Sequence, residues 1–210
     1  MTVKENTGGC GVLHVTALTL RQGPGNVELY VALRNDGSAP ACSPAFTAEV
    51  FDKSEQSLAQ GLGGLLVQHF YRLADGSGTV AACVGPGDVS MIAIRDLPSD
   101  LQLQDVSQVV YRCNYWALQV TPIPGISISG VKAVARDGGV AYAGTLVNEL
   151  DVALNNPSVA IFPVNRGGRP LGVALGGATL QLAPGSRWDF ETDAVSEPGV
   201  DQAAYPASGL

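Results

Sequence analysis

The chain has 210 residues, enough for one large domain or two small ones. Aromatic residues make up 6% and charged residues 15%. No window repeats apolar residues at the helical spacing i, i+3, i+4, i+7, which excludes a fold of long helices and favours short strands and turns. The net charge of −7, with Lys and Arg scattered, excludes the clustered basic surface of a nucleic-acid binder; no run reaches the ~18 apolar residues of a membrane span.

The opening residues, MTVKENTGGCG, lack the apolar stretch of a secretory leader. The four cysteines, Cys10, Cys42, Cys83 and Cys113, all fall in the first 113 residues. None has the CxxC spacing of a zinc or thioredoxin-like motif. An even number confined to one half points to two disulfides in one domain, and so to an oxidising compartment. The expected location is extracytoplasmic (secreted, periplasmic or cell-surface), with a leader removed and Met1 added. Four buried thiols in a cytosolic protein are the alternative. GGCG around Cys10 resembles a lipoprotein attachment site, but Thr7 stands where such a site carries Leu, and the apolar segment before it is missing.

In chain order, strands are expected over 12–21, 27–35, 45–52, 88–95 and 107–118. The second is the clearest, since Val27, Leu29, Val31 and Leu33 recur with period two. The segment LLVQHFYRLADGSGT (65–79) is expected to form an extra hairpin. VGPGDVSMI then places Pro and Gly at the central positions of a type II turn, where Pro sets φ and Gly accepts φ > 0. The stretch VTPIPG (120–125) is a stiff linker. In ISISGVKAVA, Ile126 and Ile128 fall out of phase with Val131 and Ala133, so a bulge is expected at Gly130. LAPGSRWDF repeats the Pro-Gly turn and leads into a strand in which Trp188 and Phe190 alternate with charged residues.

Aligning the two turns brings other pairs into the same order. VELYVALRNDG (27–37) matches VAYAGTLVNEL (140–150), with Asn35 facing Asn148. AEVFDKSEQSLAQGLGGL (48–65) matches VAIFPVNRGGRPLGVALGGATL (159–180), and VSQVVY (106–111) matches VDQAAY (200–205). The pattern indicates an internal duplication. The fold class expected is all-β: two tandem immunoglobulin-like antiparallel β-sandwich domains, at 10–119 and 126–210. Between the Asn and the Pro-Gly turn the first is about fifteen residues longer, mostly through the 65–79 insertion. Successive antiparallel strands alternate ends, which places the loop carrying Cys42 and the turn after Cys83 at one end of the first domain. That geometry favours Cys42–Cys83 and leaves Cys10–Cys113 to tie the first strand to the last.

AEVFD (48–52) and VAIFP (159–163) resemble degenerate forms of the Phe-x-Leu-Tyr-Asp motif of FxLYD domains. The turn RNDGS (34–38), the polar turn NRGGRPL (165–171) and the Pro-Gly turn before an aromatic strand add to the resemblance. It implies an immunoglobulin-like β-sandwich of extracytoplasmic proteins, with no shared catalytic residues. Ala48 and Val159 replace the motif's first Phe, Phe51 and Phe162 its Tyr, and Pro163 its Asp in the second copy.

Nothing in the sequence assembles a catalytic constellation. Only two histidines occur, His14 in a strand and His69 beside Phe70 and Tyr71; neither has a clustered nucleophile or metal partner. DKSE (52–55) and DGSG (75–78) lack the density of a calcium loop and read as turns. QGLGGLL (60–66) and ALGGATL (174–180) lack the Lys and following helix of a phosphate loop. No catalytic residue, cofactor or metal is therefore assigned. In YRCNYWAL (111–118), alternation sends Tyr111, Cys113 and Tyr115 one way and Arg112, Asn114 and Trp116 the other. Trp116 is then either covered at the domain junction or an aromatic platform for a partner. The candidate binding surface comprises His69, Phe70, Tyr71 and Arg72 of the insertion with Tyr115 and Trp116. The function expected is a non-catalytic structural, adhesive or protein-binding module with a protein or cell-surface partner. A carbohydrate-binding module and a virion or filament subunit assembling through sheet edges are the alternatives.

Overall fold

In the computed structural model, all residues are described except 7–8, 23–24, 66–68, 78, 124, 167–168, 196–201 and 205–210; 69–70, 79–82 and 202–204 are described for the backbone alone. The protein is all-β, and among the described residues the one helical element is a 3-10 turn at Leu103–Asp105. The strands are β1 (Thr2–Glu5), β2 (Leu13–Gln22), β3 (Val27–Asn35), β4 (Ala41–Phe51), β5 (Ser57–Leu65), β6 (His69–Leu73), β7 (Thr79–Val84), β8 (Val89–Leu97) and β9 (Gln108–Ala117). They continue as β10 (Val120–Pro122), β11 (Ile126–Arg136), β12 (Gly139–Asn148), β13 (Leu154–Asn155), β14 (Ser158–Val164), β15 (Ala174–Gly177), β16 (Gln181–Leu182), β17 (Arg187–Glu191) and β18 (Gln202–Ala204). The chain divides into two compact units, 1–66 with 82–118, and 67–81 with 119–210.

In the first unit, β3 pairs antiparallel with β2 and β8, and β4 with β5 and β9. β1 lies parallel on the outer edge of β9. β5 reaches β8 at Gly64 and Leu65, so the sheet curls. Glycine permits that approach, because a Cβ at Gly63 would sit 2.8 Å from the Ala93 carbonyl oxygen. The period-two alternation delivers Leu29, Val31 and Leu33 of β3, Phe46 and Val50 of β4, Ile92 and Ile94 of β8 and Val109 of β9 to one core. Phe46 stacks on Tyr111 with ring centroids 5.3 Å apart.

The other face of β3 is also buried, and it carries charge. Glu28 is 5% exposed and Tyr30 2%. The Tyr30 hydroxyl donates to Glu28 Oε2 at 2.7 Å, while Arg21 Nε lies 3.5 Å and Arg95 Nε 3.6 Å from the same carboxylate. A buried carboxylate is tolerated only when so compensated. Burial, and then the bond to Glu28, push the Tyr30 hydroxyl above its ordinary range.

In the second unit, β12 pairs with β11 and β17, β14 with β15 and β18, and β13 with β16. Tyr142, Leu146, Ile161, Leu182 and Phe190 form its core. β6 pairs with β10 in this unit, Tyr71 opposite Pro122. The bulge expected at Gly130 is present: the β11–β12 register shifts between Ser129 and Lys132, and Gly130 has φ +63°.

One polar arrangement occurs in both units. Asn35 and Asn148 end β3 and β12, and both are fully buried. Asn35 Nδ2 donates to the carbonyls of Ala39 and Val84, both at 2.8 Å, and its Oδ1 accepts from Gly37 N at 2.9 Å. Asn148 Nδ2 donates to the carbonyls of Val152 and Leu182, both at 2.9 Å, and its Oδ1 accepts from Leu150 N at 3.1 Å. The backbone repeats the match. Asn35 N donates to Asp88 O and accepts at its own carbonyl from Gly87 N; Asn148 does the same with Ser186 and Gly185. The two Pro-Gly turns close with bonds from Asp88 N to Gly85 O and from Ser186 N to Ala183 O, both 3.1 Å, with Gly87 at φ +79° and Gly185 at φ +73°. They are type II turns, as the sequence predicts.

Substitutions at these buried polar groups test the arrangement. Asn35→Ala leaves the Ala39 and Val84 carbonyls unpaired and should cost roughly 2–4 kcal/mol in urea denaturation. Asn35→Asp sets a carboxylate against two carbonyls, so its folded pKa rises above the unfolded value. Its stability should be highest in acid below about pH 4 and fall as pH rises toward 7; a flat or opposite profile contradicts the assigned geometry. For Tyr30, whose folded pKa is raised, stability present below about pH 10 should be lost above it. Alkaline unfolding of Tyr30→Phe should start later than in the parent protein, which circular dichroism against pH would read.

Candidate functional site

The four cysteines form two disulfides, Cys10–Cys113 and Cys42–Cys83. Cys42 lies in β4 and not in the preceding loop, directly opposite Cys83 of β7, so the second bond joins paired strands. Cys10 is in a disulfide and is not free for a lipid. The Cys10–Cys113 bond pins the segment after β1 to β9, where Cys10 N also donates to Glu5 Oε1 at 2.6 Å.

The predicted surface residues separate. His69 and Phe70 lie in β6, but their side chains are outside the described residues. Tyr71 is buried at 4% exposure, and Arg72 is exposed. Tyr115 is half-buried against the first core, its hydroxyl over Gly11, where a Cβ would approach to 2.9 Å. Trp116 is 67% exposed. Adjacent in sequence, Tyr115 and Trp116 face opposite ways, as alternation requires.

Trp116 belongs to a larger face that the sequence reading did not assemble. The outward residues of β5, β4 and β9 line up in cross-strand rows: Gly64–Ala45–Asn114, Leu62–Thr47–Arg112 and Gln60–Glu49–Val110. Two grooves follow these rows and share Thr47 and Arg112. The larger, of about 430 Å³, is lined by Gly9, Ala45, Leu62 and Asn114 besides. The smaller, of about 170 Å³, reaches Asn6, Glu49 and Gln60. Ala45, Thr47 and Gly64 are small, so the floor is low between taller walls. Leu62, 65% exposed, forms one wall and Arg112 the other. Arg112 Nε donates to Thr47 Oγ1 at 3.0 Å, which fixes the guanidinium across the floor. Among the described residues it has no carboxylate partner within ion-pair distance.

The other polar side chains singled out in the sequence serve turns. Asp52 Oδ1 accepts from Ser54 N, Ser54 Oγ and Gln56 N, and Asp75 Oδ1 from Ser77 N and Ser77 Oγ. These bonds hold both carboxyls below the usual range. His14 is an exposed strand residue 3.6 Å from Asp36. Among the described residues no group of three or more His, Cys, Asp or Glu converges as a metal site would, and no helix is long and apolar enough to cross a membrane. No protein-family model matches the chain, and no curated protein matches it as a relative.

Proposed function

We propose that this protein is a non-catalytic, extracytoplasmic adhesive or protein-binding module, built from two immunoglobulin-like, FxLYD-like β-sandwich units that arose by duplication. Strand register supports the duplication, at a spacing of 113 residues as far as Gly64 and Gly177. Leu13 pairs with Asn35 as Ile126 does with Asn148, and Ala45 with Gly64 as Ser158 does with Gly177. Phe51 pairs with Gln108 as Val164 does with Gln202. Ser43 and Asn156 both have positive φ, and each precedes a proline. Gln56 N donates to Asp52 Oδ1 as Arg169 N does to Asn165 Oδ1. Two disulfides, one of them between fully buried cysteines, favour an oxidising compartment.

The duplication makes a covalent prediction. Asn155 and Gln181 pair across β13 and β16 as Cys42 and Cys83 pair across β4 and β7, and there a hydrogen bond of 3.0 Å from Gln181 Nε2 to Asn155 Oδ1 replaces the disulfide. The double variant Asn155→Cys, Gln181→Cys should form a third disulfide without disturbing the native two. Non-reducing peptide mapping reads the outcome, and free thiols at both positions would count against equivalent units.

The binding reading is carried by the β5–β4–β9 face, grooved between exposed Leu62 and Arg112, with exposed Trp116 beyond the grooves on β9. In the second unit the places of Thr47 and Glu49, three and five residues beyond the proline, hold Ala160 and fully buried Phe162. The polar groove belongs to the first unit, as a surface specialised for a partner would. A photo-cross-linking phenylalanine analogue in place of Leu62 should give a discrete covalent adduct with cell-envelope material. Arg112→Ala with Trp116→Ala should abolish it. No adduct, or the same adduct from a probe at exposed Val152 of the second unit, would refute a binding face here.

A further inference from the structure

We infer that the β5–β4–β9 groove binds a neutral oligosaccharide, with Trp116 as a stacking platform and Arg112, Asn114, Glu49 and Gln60 as partners for sugar hydroxyls. The inference rests on the binding-module reading and names the chemistry of its ligand. Four observations lead to it.

The polar groups along the groove are mixed. Arg112 donates only, Glu49 accepts only, and Asn114, Gln60 and Thr47 do both. A ligand that satisfies all of them must donate and accept at short intervals, as neighbouring hydroxyls do. Their charges also cancel: Arg112 and Glu49 sit in adjacent rows, joined through Thr47 and Val110. A polyanion would gain Arg112 and be repelled by Glu49, and a cation the reverse, so the face favours an uncharged ligand.

The groove is also long and shallow. Glu49 and Val110 lie in one row, Arg112 and Asn114 in the next two, and Trp116 two residues further along β9. At about 3.3 Å per strand residue, the lining from Val110 to Asn114 spans roughly 13 Å, and Trp116 stands two residues beyond it on the same strand. Groove and tryptophan together suit a chain of several sugar rings rather than one. Trp116, 67% exposed and on the same outward row as Arg112 and Asn114, presents an indole face at one end. An apolar ring face stacks there while hydroxyls meet the polar rows.

Finally, strand addition by an extended peptide is obstructed beside the groove. β1 occupies the outer edge of β9 over Gln108–Tyr111, and Cys10–Cys113 holds the chain that follows. β5 is joined to β8 at Gly64 and Leu65. A ligand must bind through side chains on the face, not through backbone pairing.

The test uses the intact, disulfide-bonded protein. In a Trp188→Phe background Trp116 is the sole tryptophan, and its emission reports the groove. Cellohexaose, chitohexaose and maltohexaose are titrated separately, with a hexamer of galacturonic acid as the charged comparator. At least one neutral hexasaccharide should shift or quench the emission saturably and bind more tightly than the acidic hexamer. In calorimetry on the otherwise native protein, Arg112→Ala and Trp116→Ala should each weaken that binding at least tenfold, and Arg112→Lys less than Arg112→Ala. Circular dichroism confirms that each variant is folded. The inference is overturned if no neutral hexasaccharide binds at millimolar concentration, if the acidic hexamer binds best, or if the folded Arg112→Ala variant binds unchanged. A Leu62 adduct persisting beside such failure leaves the binding module standing and removes only its ligand class; loss of both removes both.

Discussion

The Asn35 carboxamide has two N–H groups and one oxygen, and with no exposure to water each must find its partner inside the protein. All three do, and the partners come from three stretches of chain: the loop leaving β3 at Gly37 and Ala39, the end of β7 at Val84, and, through the Asn35 backbone, the Pro-Gly turn. Asp would bring a charge against two carbonyls, and Ser would be too short to span them. Asparagine thus fixes where β3 ends and where β8 begins. The cross-strand register of the first core depends on that junction, and the second unit builds the same junction around Asn148. A two-residue turn alone could reverse the chain, but it would not set the reversal at a defined height against a neighbouring strand.

Much of this was legible, because the features responsible are local. Alternation located β3 at its observed bounds, and the phase break at Gly130 located the bulge in β11. The Pro-Gly pairs specified type II turns by their own φ requirements. Alignment on those turns matches Asn35 with Asn148, and the two make corresponding bonds, each within its own unit. On the proposed duplication, strand pairing and sequence matching place the third strand differently. Sequence matching set Ala48 against Val159, whereas strand pairing sets Phe46 in that place. A slip of two residues keeps every side chain on its own face, so hydrophobic alternation is blind to it. The marker that fixes the register was present: Pro44 and Pro157, each following a residue in the left-handed region. Phe51 and Phe162, matched through the motif, stand at different depths, one half-buried and one fully buried.

The groove was legible only in part. Alternation alone turned Arg112, Asn114 and Trp116 outward. Nothing in the chain near Arg112 announces Thr47 or Leu62, which become its neighbours through pairings across sequence separations of about fifty and more residues. Tyr71 shows the opposite failure: an aromatic in an insertion reads as a surface residue, and it is buried. The edge strands bear on assembly. β2 shifts register between Val15 and Ala17, with Thr16 Oγ1 bonded to the Ala32 carbonyl, and β11 shifts beside Lys132. Bulges and a lysine on an edge twist it away from flat pairing, which works against a filament built through these edges.

The two units resolve one physical conflict differently. A sheet face given to polar groups and solvent cannot contribute apolar burial, and a fully buried Phe such as Phe162 is worth about 1.5–3 kcal/mol. On the proposed duplication, the first unit has Glu49 in that place and forgoes the contribution. It also carries the covalent bonds the second lacks, each worth about 2–4 kcal/mol. The Cys42–Cys83 bond stands where the second unit has only Gln181 bonded to Asn155, and Cys10–Cys113 runs along the rim of the groove, where Gly9 and Cys113 form part of its wall. The disulfides therefore offset the burial that an open binding face withholds, and one of them fixes the edge of that face. The unit that is stapled is also the one that presents the groove.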